Sequence, residues 1–215
     1  YEFEERFERA RAEGTTLLVL PISSALSGTL QCARMVKENG GYDNVYLYDS
    51  RCTTLMLELL VREAAKRAET LSIEELIAFV DDLRSRAHLL AGIDTLEYLA
   101  KGGRLNTATA AIGSLLRVKP IITIGDGGTI DVIGKKMGSK TAVRELCGMV
   151  DLNKIDPEYG IRFLYSMRDA NVRELIVRMG LDPETVLELQ DIGPVIGTHI
   201  GPDAFGYVYV DRKEE

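Results

Sequence analysis

Three stretches of this chain combine residue types and spacing able to do chemistry. The first is Pro21–Thr29, PISSALSGT, where a short apolar run ends and a helix-forming segment begins. Hydroxyls and free backbone N–H groups gather there at the positive end of a helix dipole, an arrangement that suits an anion, either phosphate or carboxylate. Ser27, Gly28 and Thr29 stand where that helix begins. The competing reading is that Ser27 or Ser24 simply caps the helix. No Gly-Lys-Ser/Thr signature follows, which argues against a nucleotide phosphate held in that manner.

The second stretch is IGPVIGTHIGPDAFG, residues 192–206, which holds His199, one of two histidines, between two Gly-Pro pairs. Glycine allows close backbone approach and proline stiffens the chain, so His199 is expected in a rigid loop, poised to meet a ligand carboxylate. A structural or merely exposed histidine is the alternative. His88, at the start of an apolar strand, reads as structural. The third stretch is DTLEYLAKGGRLNTATAAIGSLLRVKPIITI, residues 94–124, with Arg104 in a glycine loop beside Lys101. Arg104 is either an anion or partner contact or a solvated arginine at a helix start. The small apolar face behind it, Ala108, Ala110, Ala111, Ile112, Leu115 and Leu116, is explained by packing.

The elements that must position these residues follow from periodicity and punctuation. Residues 1–13 have apolar positions at helical spacing and Gly14 stops the helix. TTLLVLPI is an apolar run of strand length, expected to be buried on both faces. Residues 28–39 form a helix ended by Gly40–Gly41, VYLYDS a second strand, and residues 53–69 and 73–86 two helices. The latter opens with Ser72 and Glu75, a capping box. This alternation predicts a parallel α/β sheet. Beyond it the texture changes. HLLAGI is a strand, DTLEYLA a short helix, KGGRLNT a tight loop opening another helix, and KPIITIGDGGTIDVIGK a hairpin turning at Asp126-Gly127-Gly128. A helix over 139–151, strand IRFLYS, a helix over 169–179, strand TVLELQ and strand FGYVYV complete the chain. The fold class is therefore α/β in two domains. Residues 1–86 form a parallel-sheet α/β domain, and residues 87–215 an α+β domain with a mixed sheet.

The 215 residues are 46% hydrophobic and 27% charged, the composition of a globular protein with its own core. A net charge of −7 argues against nucleic acid, which needs a clustered basic surface. No apolar run approaches the roughly 20 residues needed to span a bilayer, and no signal-peptide pattern opens the chain. Cys32, Cys52 and Cys147 are odd in number and far apart. They fit neither a disulfide framework nor a zinc site, but they do fit free thiols in a reducing cytoplasm. No metal site or cofactor is expected.

Strand–SSALSGT, DTLEYLAKGGRLN…IGSLLRVKPI and GPVIGTHIGP, in this order and spacing, closely resemble the DegV family along essentially the whole chain. The resemblance implies a cytoplasmic carrier, not an enzyme, with a long-chain fatty acid held between two α/β domains. It assigns hydrogen bonds to the carboxylate to Ser27 and His199. It places Arg104 at the surface where a fatty acid kinase partner reaches the carboxyl group. The family also carries a preceding strand and a Thr-Ser motif, so the chain is expected to start downstream of both. Three departures stand out: Met56 and Glu58 where glycines are common, Asp203 where glycine is usual, and Met137 in a loop that often holds arginine. A serine hydrolase using Ser27 and His199 is the alternative. Against it, SALSG lacks the first glycine of a nucleophile elbow, and no acid is evidently placed to orient His199. A scaffold that binds no small molecule is the third class.

Overall fold

The computed structural model describes residues 2–105, 118–184 and 189–213, so the small apolar face over 106–117 and most of the TVLELQ strand lie outside the described residues. The chain divides into two compact units, residues 1–85 with 126–128 and residues 86–125 with 129–215.

In the first unit, helix α1 (Glu2–Glu13) ends at Gly14, whose φ of +66° turns the chain into strand β1 (Leu17–Val19). Helix α2 (Thr29–Gly40) stops at Gly41, left-handed at φ 62°, as the glycine pair predicts. Strand β2 (Val45–Leu47) pairs parallel to β1 with Leu17 opposite Val45. Phe7 of α1, Ala33 of α2, Tyr42 and Val45 form the core between these elements. Helices α3 (Thr54–Arg67) and α4 (Ile73–Arg86) follow. The capping box at α4 forms in both directions: Glu75 N–H donates to Ser72 Oγ at 3.2 Å, and Ser72 N–H donates to Glu75 Oε2 at 2.9 Å.

One expectation fails here. β1 spans three residues rather than the whole apolar run, and its side chains are half-buried rather than enclosed on both faces. Its only described partner is β2, and a two-stranded sheet offers less cover than the interior of a wide parallel sheet.

The second unit is built on a six-stranded mixed sheet in the order β5-β4-β3-β8-β6-β7. Its strands are β3 (Ala87–Gly92), β4 (Val118–Ile124), β5 (Ile130–Met137), β6 (Ile161–Tyr165), β7 (Leu189–Asp191) and β8 (Phe205–Val210). All neighbours are antiparallel except β6 and β7. The β4–β5 hairpin turns through Gly125–Thr129, closed by Gly125 N–H donating to Thr129 O at 2.9 Å. Helix α5 (Glu97–Lys101) follows β3, and helices α6 (Ser139–Gly148) and α7 (Ala170–Arg178) follow β5 and β6. Ala142, Val143 and Leu146 of α6 and Val172, Leu175 and Ile176 of α7 share a core with Leu90, Ile121, Phe163, Phe205 and Tyr207 of the sheet. The Tyr207 hydroxyl donates to Leu146 O at 2.8 Å, which satisfies a buried polar group in that core.

The segment over residues 194–200 differs from expectation. It is a short helix, α8 (Pro194–Ile200), not a rigid loop. Proline fits the first helical position, where its missing N–H has no intrahelical partner, and Gly201 at φ 78° turns the chain out. A Gly-Pro pair read as loop punctuation is here a helix start.

Leu146 is fully buried at the centre of the second unit's core. Leu146→Ala is expected to cost about 2–5 kcal/mol in urea denaturation. Met137→Ala, at a site 63% exposed, should stay within about 0.5 kcal/mol. Equal effects of the two would place Leu146 outside the cooperative core.

Candidate functional site

In the first unit the loops after β1 and β2 lie at the carboxyl end of a parallel pair, the edge where α/β proteins bind ligands. Ser23 knits them together. It is fully buried, its N–H donates to Cys52 O at 2.9 Å, and its hydroxyl donates to Gly128 O at 2.8 Å. Gly128 sits at φ +74°, and a β-carbon there would run into Ser23 Oγ and approach Arg51 Cα to 3.0 Å. Only glycine meets both demands. Ser50, also buried, donates to Pro21 O at 2.6 Å and accepts from Cys52 N–H at 3.1 Å.

Ser27 and Thr29 stand at the start of α2. Ser27 N–H donates to Ser23 O at 3.1 Å, the Ser27 and Thr29 hydroxyls pair at 2.8 Å, and Thr29 N–H reaches Ser27 Oγ at 3.3 Å. The N-cap residue is Gly28, and no side chain caps the helix. Ser27 contacts one first-turn amide only, through a long bond. Ser24 is committed elsewhere: its N–H and its hydroxyl both donate to Asp49. Neither serine is a conventional cap, and the remaining first-turn amides of α2 have no acceptor within the helix. Burial on its own would raise the Asp49 carboxyl. The hydrogen bonds from Ser24 and from Arg51 N–H, together with the Arg51 charge, outweigh it and hold the group below the usual carboxylate range.

The loop into α3 carries features the sequence did not signal. Arg51 and Thr54 both sit at φ 50°, a conformation costly for a β-branched residue such as Thr54. Among the described residues, the Thr53 and Thr54 hydroxyls are buried without a hydrogen-bond partner. Of the two departures nearby, Met56 is buried in the core and Glu58 lies 3.8 Å from Arg62.

In the second unit, His199 lies in the last turn of α8, half-buried. Its Nδ1 is enclosed and lacks a hydrogen-bond partner among the described residues. The ring lies against Gly102, where a β-carbon would fall well inside contact distance of Nδ1 and 3.0 Å from Cε1. The reciprocal contact is made by Tyr98, whose ring occupies the space a β-carbon on Gly201 would need. Two motifs distant in sequence thus interlock, each with an aromatic ring seated on the other's glycine. Arg104 is exposed, but its guanidinium folds back, Nη1 donating to Gly102 O at 2.6 Å, rather than projecting freely. Asp203 occupies the position expected to be glycine for a visible reason. Its φ is +63°, which aspartate tolerates better than most residues, and its carboxylate pairs with Arg168.

The hydrolase alternative finds no support in this geometry. The Ser27 hydroxyl is paired with Thr29, and no acidic residue among those described orients the His199 ring. His88 is structural, as expected: Nε2 lies 2.8 Å from Asp211 Oδ2 and the ring packs on Tyr209. No cluster of three or more histidine, cysteine, aspartate or glutamate side chains suited to a metal occurs among the described residues. No helix among them is long and apolar enough to cross a membrane.

Residues 1–212 match the family described as "Uncharacterised protein, DegV family". The chain belongs to the DegV family. A DegV domain-containing protein of Caldanaerobacter subterraneus is 33% identical over 215 residues, 98% of this chain and 76% of the relative. Two solved DegV structures share the fold. The fatty acid binding DegV family protein from Streptococcus agalactiae matches with a TM-score of 0.86 at 26% identity, over 99% of this chain and 76% of that one. The DegV family protein from Thermus thermophilus, described by its fatty acid binding, matches with a TM-score of 0.81 at 28% identity, over 98% and 76%.

Asp49 supplies a pH test of the DegV loop arrangement. Its carboxyl is held below the unfolded value of about 3.9. The pairing therefore stabilises the fold above that pH, and the contribution is lost as pH falls through the lower folded value. Asp49→Asn is expected to flatten the acid limb of stability in urea titrations between about pH 2 and 5. Identical pH slopes for the two proteins would remove Asp49 from this role.

Proposed function

We propose that this protein binds one long-chain fatty acid and acts as a carrier rather than an enzyme. The observation that supports this most strongly is the match of nearly the whole chain to two DegV proteins described as fatty-acid-binding. The proposed ligands of the carboxylate are Ser27, with Gly28 and Thr29 forming its helix-start setting, and His199. A hydroxyl and an imidazole N–H both donate to a carboxylate oxygen without a buried counter-charge. Presentation of the bound acid to a fatty acid kinase partner, with Arg104 at the contact, completes the proposal. The exposed position of Arg104 supports it.

Burying each methylene is worth about 0.8 kcal/mol, so an acid of roughly 16–18 carbons gains over about 10 kcal/mol gross before ordering costs, enough to survive purification. Mass spectrometry of an organic extract of the native protein is expected to find such an acid in near-stoichiometric amount. An extract free of fatty acid, together with no binding of added palmitate, would refute the function. Ser27→Ala and His199→Ala should each weaken binding by about 1–3 kcal/mol. If Ser27→Ala instead lowers the melting temperature as far as a core truncation, its role is structural.

Arg104→Ala should leave fatty-acid affinity within about threefold, since a rim charge adds little to a mainly apolar binding energy. It should lower phosphoryl transfer to the bound acid by a cognate kinase about tenfold or more. Loss of lipid binding itself in that variant would make Arg104 a head-group ligand instead.

A further inference from the structure

Gly102 and His199 come from separate motifs, and the second unit brings them into direct contact. Gly102 has φ −75° and ψ −8°, values open to any residue, so its backbone conformation does not call for glycine. Space does. A methyl group there would collide with Nδ1 of His199. The loop has little freedom to yield, because Gly102 N–H donates to Tyr98 O at 2.9 Å, Gly103 N–H to Ala100 O at 3.1 Å and Arg104 N–H to Leu99 O at 3.0 Å. The Arg104 guanidinium holds the Gly102 carbonyl as well, and Tyr98 is wedged over Gly201. The imidazole is the part that would have to move.

We infer that Gly102 is a positioning residue for His199: the absent side chain seats the ring with Nδ1 closed off and leaves Nε2 as the nitrogen able to meet a ligand. An enclosed nitrogen without an acceptor holds a lone pair more readily than a proton, because orphaned buried N–H groups are rarer than orphaned acceptors. The proton then sits on Nε2, so the neutral ring presents a donor, the form a carboxylate oxygen accepts. The inference rests on the proposed role of His199 as a head-group ligand and adds what holds that ligand in its working orientation and tautomer.

The test is a cycle of Gly102→Ala, His199→Ala and the double variant, with Gly197→Ala as the control. A β-carbon at Gly197 meets nothing closer than Ile192 O at 3.9 Å. Three quantities are read: imidazole ¹⁵N NMR signals of the ligand-free protein, melting temperature, and affinity for palmitate. Wild type and Gly197→Ala should show one fixed Nε2–H tautomer. Gly102→Ala should show shifted ring signals and a mixture of tautomers, with palmitate binding about tenfold weaker, the scale of one lost charge-assisted hydrogen bond. In the His199→Ala background, adding Gly102→Ala should cost nothing further in affinity and lower the melting temperature less than it does alone, the remainder coming from its 3.1 Å approach to Tyr98 O. Such non-additivity is expected of groups acting through one contact. Should Gly102→Ala alone fail to fold, recovery of folded protein in the double variant supports the inference, and absence of recovery overturns it. Unchanged ring signals in Gly102→Ala, or fully additive losses around the cycle, also overturn it. Shifted ring signals with unchanged palmitate affinity would keep Gly102 as the positioning residue and remove His199 from the proposed head-group site.

Discussion

Ser23 is fully buried, and every polar atom it carries is paired. Its hydroxyl donates to Gly128 O and accepts from Ala25 N–H, its N–H donates to Cys52 O, and its carbonyl accepts from Leu26 and Ser27 N–H. One residue therefore binds the β1 loop to the β2 loop through its backbone N–H and to the turn at Gly128 through its hydroxyl. It also sets the direction in which α2 leaves. Removing the hydroxyl would leave the buried Gly128 carbonyl unpaired, at a cost of about 1–3 kcal/mol. Ser50 repeats the device from the other side, bridging Pro21 O and Cys52 N–H. Ser27 is tied to this arrangement through backbone, its N–H donating to Ser23 O, while the strands pair over only three residues each.

The second unit meets the same need by omission. α5 and α8 are short, and neither has a long apolar face with which to hold the other. Close approach at two glycines substitutes for it. Tyr98 fills the space over Gly201 while His199 fills the space over Gly102, so each element is held by a ring against bare backbone. Such contacts tolerate little change, because packed interiors do not absorb an added methyl without displacement. A histidine held this way has its orientation set by shape, with no acidic partner needed to fix it. That separates it from a triad histidine, which is oriented by a carboxylate.

What the sequence made legible were features governed by near neighbours. The end of α1 at Gly14, the left-handed stop of α2 at Gly41, the reciprocal Ser72–Glu75 cap and the β4–β5 turn each depend on residues a few positions apart. What it hid were tertiary facts. Between Ser24 and Ser27 the contest for the helix cap was misframed, since the organising serine is Ser23, whose role depends on Cys52 and Gly128. His199 was expected in a loop because Gly-Pro usually punctuates, yet Pro194 at a first helical position starts α8. Arg104 was expected at a helix start as a partner contact or a solvated side chain, and its carbonyl partner two residues back could not be foreseen from residue type. Gly102 resembles any loop glycine until the ring above it is seen.

Under the fatty-acid reading, the chemistry of the head-group residues divides the work between the two ends of the ligand. Methylenes contribute about 0.8 kcal/mol each on burial, so a long acyl chain dominates the affinity. A hydroxyl and a neutral imidazole add about 1–3 kcal/mol apiece through hydrogen bonds to a charged oxygen. That is too little to decide whether the acid binds, but enough to decide which end of it lies where. An arginine clamp would hold the carboxylate more tightly in a bidentate pair, at the expense of ease of release. A carrier has to surrender its cargo, and a weak, oriented polar end is the arrangement that fixes register without adding a barrier to departure. The rigidity of the Ser23 and Gly102 contacts is then what lets two modest hydrogen bonds act as an alignment device.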